Sequence, residues 1–423
     1  VSDVRKRRAA AVDGLRAIAA LSVVTYHAWL YTLPTVTASH RETLGDQVIH
    51  ELRLGLVLFF VLSGFLLFQP WVRSALSGAP APRLGAYLTR RAARILPAYY
   101  LAVAGSIALL WSIKGAPGVR FPPTGDLWLF GVFGQNLTDA TLLKLDPPLW
   151  TLAVEVSYYL VLPALGWLAL RLRGAGRAGQ LAVPVAMILM GIAYNRAIDG
   201  SSALFPSKLL PAMAPYFAAG MIGAVLIEGR SIGRRLTWAL LAGGSLIVAG
   251  DAWWAADGAT HGSHSIWLHV LRDLPAAAGF ACIIAAAARS ISPPRALTTR
   301  PLAWVGHVSY GVYLWHVPLI LFLRAHGALP LSTGAALLVA LPVTLVVAAL
   351  SWYLVERPVQ ERARRSTAQH HDAREADRMT VGVGGRALDH EPDALGALES
   401  LAGFGRELEH EPAVAAGYEV DNR

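Results

Sequence analysis

The chain has 423 residues, of which 55% are hydrophobic and only 15% charged. A soluble domain carries about 25% charged residues, so this composition excludes a set of water-facing domains. The net charge is +9, but the basic residues fall in short gaps between apolar runs, which excludes a nucleic-acid-binding domain. The single cysteine, Cys282, excludes a disulfide framework or a Cys-based zinc site within one chain.

From the N-terminus, a basic stretch to Ala11 leads into a long apolar run with no clear cleavage site. It reads as an uncleaved first span rather than a signal peptide. A membrane helix needs about 20 mostly apolar residues. Ten segments meet that need: 11–33, 54–72, 95–113, 149–170, 181–198, 208–227, 236–255, 267–288, 302–324 and 334–355. The run Leu127 to Leu137 is too short to cross and reads as interfacial or re-entrant. Residues 366–423 are polar, mixed in charge and rich in Ala and Gly, with His-Glu-Pro triplets at 390–392 and 410–412. They read as a flexible tail with a short helix near Ala394 to Leu401. The expected fold is an all-α polytopic membrane protein of about ten transmembrane helices. A basic N-terminus (1–10) precedes the membrane domain (11–358), and a disordered cytoplasmic tail (359–423) follows it.

Lys and Arg counts orient the spans. The loops 1–10, 73–94, 171–180, 228–235, 289–301 and 356–365 hold 22 basic residues, against 8 in the opposite set with its adjoining helix ends. Both termini are therefore expected in the cytoplasm of a multi-pass cell-membrane protein. Internal repeats are not obvious, which weakens a transporter built from inverted halves.

Three spans carry ionisable residues in apolar surroundings, where lipid cannot solvate them and function is the default reading. In the first, Arg16 and His27 are 11 residues apart, which puts both on one helix face about 16 Å apart along the axis. Asp13 can pair with Arg16 at i, i+3. In the fourth, Glu155 needs a partner or a proton, and His27 is a candidate partner. In the ninth, Ser309 and His316 share a face with Tyr313 beside them, and His307 points the other way. Arg90, Arg91 and Arg94 lie just before the third span, where they serve the positive-inside rule or hold phosphates. His261, His264 and His269 have no carboxylate or Cys cluster beside them to make a metal site, and Arg272-Asp273 reads as a local ion pair.

In order, these segments resemble the acyltransferase-3 family of integral membrane O-acyltransferases. The resemblance rests on Asp13-Gly14-Leu15-Arg16 through His27, Leu58 through Leu66, Arg91 through Tyr100, Leu149 through Leu160, Ser309 through Pro318, and Glu356-Arg357-Pro358. It implies a ten-helix fold, acyl-CoA donors such as acetyl-CoA, no tightly bound cofactor, and hydroxyl-bearing acceptors such as envelope glycans, glycolipids or macrolides. It maps the family's Arg-x10-His motif onto Arg16 and His27, its Arg-x-x-Arg motif onto Arg91 and Arg94, and its Trp-and-Glu motif onto Trp150 and Glu155. The chain departs from the family at Val57 and Val156, where carboxylates are frequent. About 65 residues follow Glu356, too few for the esterase-like domain fused to some members, so a single-component enzyme is expected.

Acyl transfer to a hydroxyl needs a base and an oxyanion donor. The expected catalytic set is His27 as base or transient acyl carrier, Glu155 orienting or charging it, and Arg16 holding negative charge on the donor. Arg91 and Arg94 are expected to bind the donor, and Trp150, Tyr158, Tyr313 and His316 to line the acceptor pocket. A transporter or flippase using the same groups as a proton relay is the alternative.

Overall fold

The computed structural model describes residues 2–33, 43–256 and 273–365. The expected helix near Ala394, the two His-Glu-Pro triplets, His261, His264, His269 and Arg272 all lie outside the described residues.

Among the described residues the regular structure is helical. The elements are α1 (Ser2–Thr32), α2 (Leu44–Glu51), α3 (Gly55–Ser77), α4 (Leu84–Trp111), α5 (Trp128–Gly131), α6 (Leu149–Arg171), α7 (Gly176–Ala197), α8 (Leu210–Ile227), α9 (Arg234–Ala256), α10 (Leu274–Arg289), α11 (Arg300–Ala325) and α12 (Thr333–Ser351). Among the described residues, eight segments are long and apolar enough to cross a membrane; one of them, Leu149–Ala197, holds both α6 and α7. The apolar helix α10 is shorter, at 16 residues. The protein is a multi-pass membrane protein.

Two boundaries differ from the sequence reading. The basic segment before Ala11 is already helical and continuous with α1. Arg8 from that extension donates to the carbonyls of Ser290 (2.6 Å) and Arg289 (3.0 Å), satisfying acceptors at the end of α10. Likewise α4 begins at Leu84, so Arg90, Arg91 and Arg94 sit within a helix and not in a loop. The 127–137 run yields only the single turn α5 and irregular chain, in keeping with a segment that does not cross.

Water cannot drive apolar surfaces together inside lipid, so helix association relies on close packing. Small residues supply it here. A Cβ at Gly306 of α11 would collide with the backbone of Asp13 in α1, and one at Gly14 of α1 would collide with the backbone of Leu297 in the turn before α11. Gly64 of α3 and Gly220 of α8 form a second reciprocal seam against Phe217 and Val61. The first seam fixes α1 against α11, and these two helices carry the histidines described below. The core between them and α3, α6 and α8 is filled by Leu, Phe, Trp and Tyr side chains.

The chain between α5 and α6 folds over one end of the bundle on side-chain hydrogen bonds. Gln135 donates to the Leu149 carbonyl (2.9 Å), and Asn136 donates to those of Trp150 and Lys208 (both 2.7 Å). Phe133, Leu143 and Leu145 hold positive φ angles of 56–59°, a conformation that costs an L-residue about 1–2 kcal/mol and persists only where surroundings impose it. At the other end α12 runs into a π-helical turn, Trp352–Glu356. It turns Glu356 inward, where the carboxylate is buried and accepts from Ser351 Oγ (3.1 Å).

Candidate active site

Two cavities lie in series between α1, α3, α6 and α11. The first, of about 90 Å³, is lined by Arg16, Ser63, Arg91, Arg94, Glu155 and Tyr159 among others. The second, of about 620 Å³, is lined by Tyr26, His27, Tyr31, Trp150, Lys208 and Tyr216 among others. They are called here the arginine cavity and the histidine cavity. Leu56, Phe60, Thr151 and Tyr313 line both, forming the constriction between them.

Helical periodicity explains the arginine cavity. Arg16 projects from α1 and is held by Asp13 at 2.7 Å, the expected i, i+3 pair. Arg91 and Arg94, also i, i+3, project from α4 into the same space. Arg91 lies 5.8 Å from the Tyr159 ring centroid, and its Nε is buried with no hydrogen bond among the described residues. Glu155 accepts from Ser63 Oγ (2.8 Å) and Tyr159 OH (2.5 Å), both on Oε1. Its Oε2 takes no hydrogen bond among the described residues. Three guanidinium groups thus face Glu155 as the one carboxylate on the wall. The surplus positive charge suits a phosphate-bearing ligand.

In the histidine cavity, His27 Nδ1 donates to the Val23 carbonyl (2.9 Å), one turn back on α1. The same nitrogen lies 3.2 Å from His316 Nε2. Lys208 Nζ lies 4.6 Å from the Trp150 ring centroid, a cation–π pair. Arg53 is occupied by Asp273 (2.7 and 2.8 Å) and Glu51 (2.8 Å). Helix α2 delivers Glu51; Thr43 caps it by accepting from Asp46 N at 3.1 Å.

Asp146 lies in the loop before α6. It is buried, and neither carboxylate oxygen finds a hydrogen bond among the described residues. Burial pushes its carboxyl well above the usual carboxylate range.

The structure brings Arg16, Arg91, Arg94 and Glu155 to one cavity, and His27 and Trp150 to the other. Tyr313 lies at the constriction. Three expectations are corrected. Glu155 is not joined to His27: its partners are Ser63 and Tyr159, and it opens on the other cavity. Tyr158 is not a pocket residue. It is fully buried against Phe217, ring centroids 4.2 Å apart, and its hydroxyl finds no hydrogen bond among the described residues. The i+4 step from Glu155 brings Tyr159 over the carboxylate, while the i+3 step turns Tyr158 toward α8. His316 lines neither cavity; it stands fully buried behind His27. Residues not singled out from the sequence are Tyr159, signalled by its i+4 spacing from Glu155, Ser63, which lies within the Leu58–Leu66 stretch, and Lys208, which no local pattern marked. Among the described residues, no group of three or more His, Cys, Asp or Glu is arranged to hold a metal ion.

A family model described as an acyltransferase domain matches residues 9–355. Nodulation protein 10 of Rhizobium leguminosarum bv. viciae is 28% identical, over 82% of this chain and 92% of the relative. The exopolysaccharide production protein ExoZ of Rhizobium meliloti is 26% identical, over 83% of this chain and 97% of the relative. YrhL of Bacillus subtilis, named as a putative peptidoglycan O-acetyltransferase, is 25% identical over 84% of this chain but 55% of its own length. This chain therefore spans about half of YrhL. No solved structure matches. Neither the family description nor these names supports a transporter.

Proposed function

We infer the function from the premise that the family match supplies: the chain belongs to the acyltransferase-3 family and is a membrane acyltransferase. We propose that it moves a short acyl group, such as acetyl, from acyl-CoA to a hydroxyl of a surface glycan. The observation that carries this reading is the pair of cavities in series, one cationic and one holding His27, joined at Tyr313 and Thr151. The relatives named for exopolysaccharide production and peptidoglycan O-acetylation support a glycan acceptor.

The excess of basic residues in one set of loops supports an arginine cavity on the cytoplasmic side, with both termini. Acyl-CoA is made there, and Arg16, Arg91 and Arg94 hold its phosphates. The pantetheine arm runs past Glu155 and the constriction and brings the thioester to His27. The acceptor enters the histidine cavity from the other side. His27 takes the hydroxyl proton as the oxygen attacks the thioester carbonyl; the C–O bond forms, the C–S bond breaks, and the proton passes on to the leaving thiolate. Lys208 and Tyr31, on the same wall, supply positive charge and a donor near the developing oxyanion. Glu155 orients the arginines rather than His27.

The test uses the full chain in nanodiscs with radiolabelled acetyl-CoA and polysaccharide acceptors. Label transfer that is lost in His27→Ala, with the variant still monodisperse, is the expected result. Near-normal transfer in His27→Ala sinks the assignment. Reporter fusions after Arg230 and Arg295 should read cytoplasmic; a non-cytoplasmic signal at Arg295 sinks the orientation.

A further inference from the structure

We propose that His316 is a positioning residue for His27: it fixes His27 as the Nδ1–H tautomer, so that Nε2 is the nitrogen that takes the substrate proton. The proposal rests on the reading of His27 as the base.

Carbonyl oxygens accept hydrogen bonds and never donate them. His316 Nδ1 lies 2.7 Å from the Tyr313 carbonyl, so that nitrogen carries the hydrogen. In the neutral ring Nε2 of His316 is then a lone pair. This lone pair lies 3.2 Å from His27 Nδ1, which is also 2.9 Å from the Val23 carbonyl. Both neighbours of His27 Nδ1 are acceptors, so His27 Nδ1 carries a hydrogen shared between them. The lone pair of His27 falls on Nε2. That atom has no hydrogen bond among the described residues, and the ring lines the histidine cavity.

The two rings meet edge on, centroids 4.9 Å apart and planes at 64°. They come from helices 289 residues apart in sequence, held together by the Gly306 seam. The Val23 carbonyl alone would favour the same tautomer, but it is shared with the helix's own backbone bond. His316 adds a second acceptor whose geometry is set by a different helix. When the hydroxyl proton reaches Nε2, His27 becomes an imidazolium, and its Nδ1–H bond to His316 becomes charge-assisted. In Ser-His-Asp triads a carboxylate orients the histidine this way. Here a neutral imidazole does it, which avoids a buried full negative charge in the membrane.

Solid-state ¹⁵N NMR on the reconstituted full chain, with ring-labelled histidine and His27 assigned by difference from His27→Ala, reads the tautomer without turnover. His27 protonated at Nδ1 is the expected result; protonation at Nε2 overturns the proposal. Two variants separate positioning from packing. His316→Gln keeps a side-chain acceptor, and His316→Phe keeps volume without one. In His316→Phe the Nδ1 tautomer should become mixed and kcat should fall about 10²-fold at unchanged KM for acetyl-CoA. His316→Gln should keep the tautomer and recover most of the rate. Equal losses in both variants, or a His316→Phe protein with the wild-type tautomer and rate, overturn it. If the tautomer follows His316 but no acyl transfer occurs with any thioester, the functional reading fails and the positioning role stands.

Discussion

Tyr313 and Thr151 share a 2.6 Å hydrogen bond at the constriction where the two cavities meet. Tyr313 also donates to the Pro148 carbonyl at 3.1 Å, so its ring is pinned from α6 and from the turn before it. A ring pinned from two directions keeps the constriction narrow.

Tyr313→Phe keeps the ring and loses only the hydroxyl, so transfer should stay within a few-fold while stability drops by about 1 kcal/mol. Tyr313→Ala widens the constriction. The ratio of acetyl-CoA hydrolysis to acyl transfer should rise, measured as free thiol against acylated glycan. An unchanged ratio would show that the constriction does not separate the two spaces.

Glu155→Gln keeps an oxygen to accept from Ser63 and Tyr159 but removes the charge facing the arginines. Turnover should fall about 10²-fold with little change in melting temperature. Ser63→Ala, which removes one donor to Oε1, should cost tenfold or less. A few-fold loss in Glu155→Gln would assign the carboxylate a packing role.

Arg91→Ala combined with Arg94→Ala should raise the KM for acetyl-CoA, with a smaller change in kcat, because these contacts form before the chemical step. Donor affinity of the native protein should weaken as salt rises. An unchanged KM with poor membrane insertion would assign these arginines to orientation alone.

Asp146 gives a pH-dependent prediction whose sign follows from burial. Its folded carboxyl holds the proton to higher pH than the unfolded chain does, so it favours the folded state most at low pH. That advantage is lost as pH rises above the unfolded value near 4, by about 1.4 kcal/mol per pH unit until the folded group ionises. Asp146→Asn removes the titration. In detergent it should melt higher than wild type at pH 8, with the gap closing toward pH 4. Parallel melting curves from pH 4 to 8 would refute this.

Much of the site was legible because helical spacing is a local property. The shared face of Arg16 and His27, the Asp13–Arg16 pair and the Arg91–Arg94 face all follow from it. What joins one helix to another was not legible. His27 and His316 both stood out as ionisable groups in apolar spans, yet nothing local says that they meet. Glu155 was assigned to His27 because a buried carboxylate needs a partner. The partners are neutral donors, Ser63 on α3 and Tyr159 one turn on, and neither is unusual enough to attract notice. The all-helical, membrane-spanning character was legible from hydropathy, but α1 and α4 extend beyond their apolar stretches because basic residues are good helix formers too.

Helix α1 carries Arg16 at one cavity and His27 at the other, and the Gly306 seam packs it against α11 with no room for a side chain. The helix therefore behaves as a ruler about 16 Å long. On the function proposed above, a thioester whose anionic head is held at the first mark would be read at the second only if its arm spans that length, so donor choice would be set by reach rather than by a pocket shaped to the acyl chain.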